Sequence, residues 1–246
     1  LNTWNAYILI FLALLGIMTA FMNMSGGARA FTNWALTKVK SRRGAGLMTA
    51  VLGIIVFIDD YFSALIVGQV AKPITDKYKI SRAKLAYMVD TTASPVAVMM
   101  PVSSWGAGIM GLTAPLLVAA GMTNISPFQS FMYMVPMNFY VISAIIMMFI
   151  VVVFKFDIGP MRKQEELAIN EGILRDKVPE FAEQEDELPV HEDSGATALI
   201  VPIIALAVTV VIAMYITGAL EGGSWSVFSV MENTLITHSL VAGGIV

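Results

Sequence analysis

The stretch GAGLMTAVLGIIVFIDDYFSALIVGQVA, residues 44–71, holds two adjacent aspartates, Asp59 and Asp60, and no other charged residue. A charge in hydrocarbon costs about 2.5–3.5 kcal/mol even on lenient insertion scales, so two kept side by side imply a function. Basic residues crowd both flanks: Arg29, Lys38, Lys40, Arg42 and Arg43 before, and Lys72, Lys77, Lys79, Arg82 and Lys84 after. Short loops rich in Lys and Arg favour the cytoplasm. A plain span over 44–71 would strand one cluster outside. The charge pattern therefore predicts a re-entrant hairpin with its tip at 57–61. Twenty-eight residues make two helical arms of about 20 Å each, enough to reach mid-membrane but not to cross twice.

Of the 246 residues, 57% are hydrophobic and 13% charged, which excludes a soluble domain and predicts an all-α polytopic membrane protein. Uncharged runs long enough to span occur at 4–22, 128–154 and 197–220. A fourth apolar stretch, 85–111, is interrupted by Asp90 and by Gly and Pro, and reads as a broken helix. In the expected topology 4–22 runs inward, the hairpin returns to the inside, and 85–111 crosses outward. Residues 112–127 form an outer connection, 128–154 comes back, and 197–220 goes out again. Loops 29–43, 72–84 and 155–196 are then cytoplasmic. Residues 157–193 hold 12 acids and 4 bases, against 6 acids and 11 bases elsewhere, so the net charge of −3 belongs to one segment. That segment, 156–196, reads as a solvated acidic linker with weak amphipathic spacing at Leu167, Ile169 and Ile173. No cationic n-region precedes Trp4, so no signal peptide is expected. A start at Leu1 and an end inside an apolar run at Val246 read as a piece of a longer protein. Without cysteine there are no disulfides or thiolate metal sites. Two histidines and no His-Glu-x-x-His exclude a zinc enzyme. The 17 methionines read as apolar filler.

Neighbours in a helix point 100° apart, so Asp59 and Asp60 face one cavity only from a break or a hairpin tip, where freed carbonyls add oxygen ligands. Two carboxylates held close cannot both ionise cheaply, and a proton and a sodium ion then compete for the pair. The plainer reading makes one Asp a helix N-cap. Asp90 is the only charge between Lys84 and Lys155. It opens Asp90-Thr91-Thr92-Ala93-Ser94-Pro95, and Pro95 predicts a helix break at Ser94. Together with Ser103 and Ser104 beyond Pro101, these hydroxyls offer hard-cation ligands, as broken helices do in many secondary transporters. The plainer reading pairs Asp90 with Lys84 or Arg82, about 9 Å away along a helix. Asn23, Ser25, Gly26 and Gly27 end the first span, with Gly-Gly as a C-terminal cap. Glu232, Asn233, Thr234, Thr237, His238 and Ser239 make a weak polar group near the end, with His238 as a hydrogen-bonded helix residue. His191 carries no specific role.

Residues 57–68, from Phe57-Ile58-Asp59-Asp60-Tyr61-Phe62 to Gly68, resemble a signature of the NhaC-type sodium/proton antiporter family. So do Pro73-Ile74-Thr75-Asp76, Ile80-Ser81-Arg82-Ala83-Lys84, Asp90-Thr91-Thr92-Ala93-Ser94-Pro95 and Pro101-Val102-Ser103-Ser104-Trp105-Gly106. Ser25-Gly26-Gly27 with Ala30-Phe31 is similar as well. The chain departs from the pattern at Ser63-Ala64, where the family has Asn-Ser. The resemblance implies two inverted repeats, each with a hairpin and a broken helix: residues 1–155 as the first repeat, 156–196 as linker, and 197–246 as the start of the second. It implies sodium–proton exchange by alternating access, a secondary transporter of the inner membrane rather than an enzyme. Asp59, Asp60, Asp90, Thr91, Thr92, Ser94, Ser103 and Ser104 are the expected ion and proton ligands, with Ser25, Ser63 and Asn23 as secondary candidates. Na+ and H+ are cargo and no cofactor is expected. The expected partners are the lipid bilayer, the rest of the same protein and a second copy in a homo-oligomer, with no nucleic acid. The family also implies an alternative, sodium-coupled exchange of malate or lactate, in which Arg29 would bind the carboxylate. A more distant alternative is an intramembrane aspartyl protease, but the two acids are adjacent and no Gly-x-Gly-Asp follows.

Overall fold

Helices begin in this chain where a hydroxyl or carboxylate caps them, and small residues decide how closely they pack. In the computed structural model, which describes residues 3–174, 194–222, 225, 230 and 233–246, no strand occurs among the described residues. Helix α1 is Thr3–Met24 and α2 is Gly27–Lys38. Gly26 between them has φ 73°, the left-handed cap expected of Gly-Gly. The two axes meet at 64°. Helix α3 is Arg42–Ile55, capped by Ser41, whose hydroxyl accepts from the Gly44 amide at 3.0 Å. Helix α4 is Asp60–Lys77. Residues 56–59 turn the chain between α3 and α4, so 44–71 lies within a helix–turn–helix whose arms have 14 and 18 residues.

Helix α5 is Arg82–Met99 and α6 is Ser104–Ala119, bent by 45° at the break between them. The break does not fall at Pro95. Losing one amide there costs a single hydrogen bond within a packed α5, and the helix continues. It ends one turn later at Met100, extended at φ −91°, ψ 123° before Pro101, which is the pre-proline preference acting at the other proline. Ser103 then caps α6 by accepting from the Gly106 amide at 2.8 Å. A Cβ on Gly106 would lie 2.4 Å from the Met100 carbonyl oxygen, so this tight turn demands glycine.

The chain after α6 departs from the expected outer loop and single span. Helix α6 runs through Pro115 to Ala119. Residues 128–154 divide into α7, Pro127–Met134, a 3-10 turn at Val135–Met137, and α8, Phe139–Phe154. Pro136 interrupts the ladder, and Asn138 restarts it by accepting from the Val141 amide. Helices α9, Gly159–Asn170, α10, Thr197–Gly222, and α11, Ile236–Ile245, complete the fold. Phe139–Asn170 and Thr197–Gly222 are long and apolar enough to cross a membrane, and each bent pair, α1–α2 and α5–α6, adds one span if counted as one.

Small residues set the packing of α3. Ala45, Gly46, Thr49, Ala50 and Gly53 form its buried face. A Cβ on Gly46 would meet Val152 of α8 at 2.7 Å, and one on Gly53 would meet Thr92 of α5 at 1.9 Å. Such small-residue faces let membrane helices approach closely. Helix α4 presents Phe62, Ile66, Val67, Val70 and Ile74 to the core at helical spacing.

Two expected loops are largely helical. Residues 29–43 carry most of α2, whose Thr32 hydroxyl donates to the Val70 carbonyl at 3.2 Å. Residues 72–84 are the end of α4, a four-residue turn and the start of α5. The turn follows the Schellman pattern: the Ile80 amide donates to Thr75 and the Lys79 amide to Asp76. Lys79 occupies the left-handed position with φ 53°, where glycine is unstrained. Lys79→Gly is expected to stabilise the protein by about 1 kcal/mol. A thermal melt in detergent that does not rise would remove the strain argument.

The linker is not solvated throughout. Glu165 of α9 is 3% exposed. Its carboxylate accepts from the Ser81 amide at 2.7 Å and pairs with the Arg42 guanidinium. Lys84 lies 3.5 Å from Glu165 and 2.7 Å from Asp157. Lys84 and Arg82, the latter bonded to Asp76, thus pair with other acids, and among the described residues neither pairs with Asp90. The reason is proximity: α9 folds back onto the N-terminal turns of α3 and α5, where two bases await acids. The acidic run 180–193 and His191 lie outside the described residues.

Candidate functional site

Two chain breaks converge, one from the hairpin and one from α5–α6. Asp59 is the N-cap of α4; its Oδ1 accepts from the Phe62 amide at 3.1 Å. Its Oδ2 accepts from the Ser104 hydroxyl at 2.8 Å. Asp60, the first residue of α4, accepts at Oδ2 from the Ser94 hydroxyl at 3.0 Å. The Ser104 amide donates to the Ile58 carbonyl at 2.9 Å, stitching the hairpin tip to the start of α6. Ser63, one turn into α4, is 1% exposed and its hydroxyl has no hydrogen-bond partner. Asp59 is 2% exposed and Asp60 half-buried. So the N-cap reading of Asp59 holds, and because a cap position is itself a helix break, the two carboxylates both accept from hydroxyls of the α5–α6 segment.

The electrostatics follow from this geometry. Asp59 caps the N-terminus of α4 and accepts from the hydroxyl of Ser104, the first residue of α6, so both helix ends lie beside the pair, and each carries about +0.5 of a charge. Two ionised carboxylates against two such ends leave about −1, which one proton or one monovalent cation neutralises. Carboxylate and hydroxyl oxygens suit a hard cation. Pro95 adds an oxygen to the neighbourhood, since without an amide it leaves the Thr91 carbonyl no helical donor.

The other expected ligands divide. Ser103 is occupied as the α6 cap and by donating to Ala97 at 2.7 Å. Thr92, buried, donates to Met88 at 2.9 Å and faces Gly53. Thr91 is buried and bonded to the Tyr87 side chain. Ser25 bonds locally to Met22. The Asn23 side chain lies outside the described residues. Asp90 is exposed on α5, one turn and about 6 Å before Ser94, and bonds to neither aspartate. The expected partnership of Asp90 with the pair is replaced by that of Ser94 and Ser104. Arg29 is exposed at the edge of α2.

Near the end of the chain, Thr234 donates to Met214 at 2.6 Å, and Thr217 lies 3.3 and 3.4 Å from Thr234 and Ser239. His238 packs against Tyr7 in a tilted ring contact, with centroids 4.1 Å apart. Glu232 lies outside the described residues. Sequence reasoning missed the Arg42–Lys84–Asp157–Glu165 cluster. The signal available was Glu165 three residues before Ala168, on the face of α9 that the fold buries.

An all-α membrane protein whose two helix breaks bring carboxylates and hydroxyls together is the class that the fold and the site define. Residues 96–246 match the Na+/H+ antiporter family, and the chain belongs to that family. A Haemophilus influenzae protein described as uncharacterized is 45% identical over 248 residues, covering 98% of this chain and 45% of that protein. The chain thus spans less than half the length of this relative. No solved structure matches.

Proposed function

We propose that the protein containing this chain exchanges Na+ for H+ across the cytoplasmic membrane by alternating access, as an NhaC-type antiporter built on inverted repeats. The observation that carries this reading is the bonding of Asp60 to Ser94 and of Asp59 to Ser104 beside the N-termini of α4 and α6. A site of about −1 net charge accepts one cation or one proton but not both, which is the coupling an exchanger requires. Asp59 and Asp60 bind the ion or proton in turn. Ser94, Ser104 and the unpartnered Ser63 hydroxyl supply neutral oxygens. Asp90 belongs to the same face of α5 as Ser94, one turn away, as a third carboxylate on the ion's route. Breaks in α3–α4 and α5–α6 give the hinges at which the site changes its access.

Everted vesicles holding the full-length protein test the reading. Sodium added outside is expected to move protons with no organic acid present. Exchange that requires malate or lactate would replace this reading with organic-anion exchange.

A further inference from the structure

A cavity of about 410 Å³ opens where α9 folds back on the starts of α3 and α5 and the end of α8. It lies at the opposite end of α3 from the aspartate pair and has its own chemistry. Five bases line it against three acids. Glu165 is taken by Arg42 and Lys84, Asp157 by Lys84, and Glu166 by Arg162 at 2.9 Å. Arg43 and Lys155 have no partner among the described residues, and both line the cavity. Arg43 sits in the first turn of α3, whose N-terminal end adds positive potential. Lys155 sits at the left-handed C-cap of α8, φ 56°, directly after the apolar helix ends. Two cations that are unpaired among the described residues therefore line one cavity at the level where an apolar helix stops.

The remaining walls are apolar. Val152, Met88 and Ile80 form the inner side, and Phe156, 51% exposed, stands at the mouth. Phe154 beside it is 72% exposed on α8. Exposed cations beside an apolar inner wall, with apolar surface continuing along a membrane helix, match an amphiphile, not a free ion. We propose that this cavity binds the phosphate of an anionic phospholipid headgroup, held by Arg43 and Lys155, with its acyl chain along Phe154 and Phe156. Basic pockets at the ends of membrane helices recognise such headgroups through this combination of charge and apolar contact. The bound lipid would brace α3 and α9 against α8, adjoining the hairpin arm that leads to Asp59.

The test uses full-length protein in detergent, titrated with phosphatidylglycerol, phosphatidylcholine or inorganic phosphate and read by native mass spectrometry. Phosphatidylglycerol is expected to remain bound in preference to phosphatidylcholine, and inorganic phosphate is expected not to displace it. Arg43→Gln with Lys155→Gln is expected to weaken phosphatidylglycerol about 30-fold, about fivefold per base. Both side chains are exposed, so the variant keeps the fold. Lys38→Gln with Lys40→Gln removes the same charge outside the cavity and is expected to leave binding unchanged. Equal binding of the two lipids overturns the proposal. So does displacement by inorganic phosphate, or equal losses in the two double variants.

Discussion

Asp59→Asn is expected to lower sodium-driven proton movement by about 100-fold or more, because a charge pair near 4 Å is worth about 4 kcal/mol at an effective dielectric of 20. The same variant is expected to keep the fold. Asparagine caps a helix as well as aspartate does, so the Phe62 amide retains its acceptor. The Ser104 hydroxyl can still donate to the amide oxygen or turn to accept from its nitrogen. What changes is the charge: about −1 between two helix ends becomes about 0, and neither ion gains by entering. Asp59→Ala separates the two roles, since it removes the cap as well and costs about 1 kcal/mol more in stability. Asp60→Asn should match Asp59→Asn in transport, with its Ser94 bond preserved in kind. Vesicles that exchange normally with Asn at both positions would sink the site assignment, while equal melting temperatures for wild type and Asn variants would show that folding was not the cause.

The helix–turn–helix with Asp59 and Asp60 at its turn was legible because two long-range signals agreed, a charge pair in an apolar stretch and basic clusters on both flanks. Either signal alone fits several topologies. The second half of the site was legible in kind but not in register. Ser94 and Ser104 stood among eight expected ligands, and nothing local separates them from Thr91, Thr92 and Ser103. That choice depends on which face of α5 meets the hairpin, and α5 has little amphipathic bias to announce it: its buried face mixes Lys84, Thr91 and Thr92 with Leu85 and Val96. Two prolines six residues apart carry the same local rule, and only the packing of α5 decides that Pro101, not Pro95, ends the helix. The acids of the linker misled for a similar reason. A run of carboxylates reads as solvated, whereas Glu165 is removed from water by partners more than 80 positions away, the Ser81 amide and the bases Lys84 and Arg42.

Gly53→Ala is expected to destabilise the protein by about 1–3 kcal/mol, the range for overpacking a close helix contact, and to impair exchange with it. The new methyl would lie 1.9 Å from the Thr92 hydroxyl and 2.5 Å from its Cβ. Thr92 cannot swing away freely: it is fully buried and its hydroxyl donates to Met88 and Val89. Relief must come from α3 and α5 moving apart. Gly53 stands six residues before Asp59 on the arm that carries the tip, and Thr92 two residues before Ser94 on the helix that meets it. A shift at this crossing therefore acts on the Asp60–Ser94 bond with little lever arm to absorb it. Thr92→Ala in an otherwise unchanged protein removes the nearest clash atom and no contact to either aspartate, so it should leave exchange close to wild type. Combined with Gly53→Ala, it should recover part of the lost stability, but not all, since the 2.5 Å contact to Cβ remains. A thermal-melt double-mutant cycle with no favourable coupling between the two positions would contradict the close crossing. Loss of exchange in Thr92→Ala alone would return Thr92 to the ion's ligands and make the Gly53 approach a means of aiming its hydroxyl rather than of packing two helices.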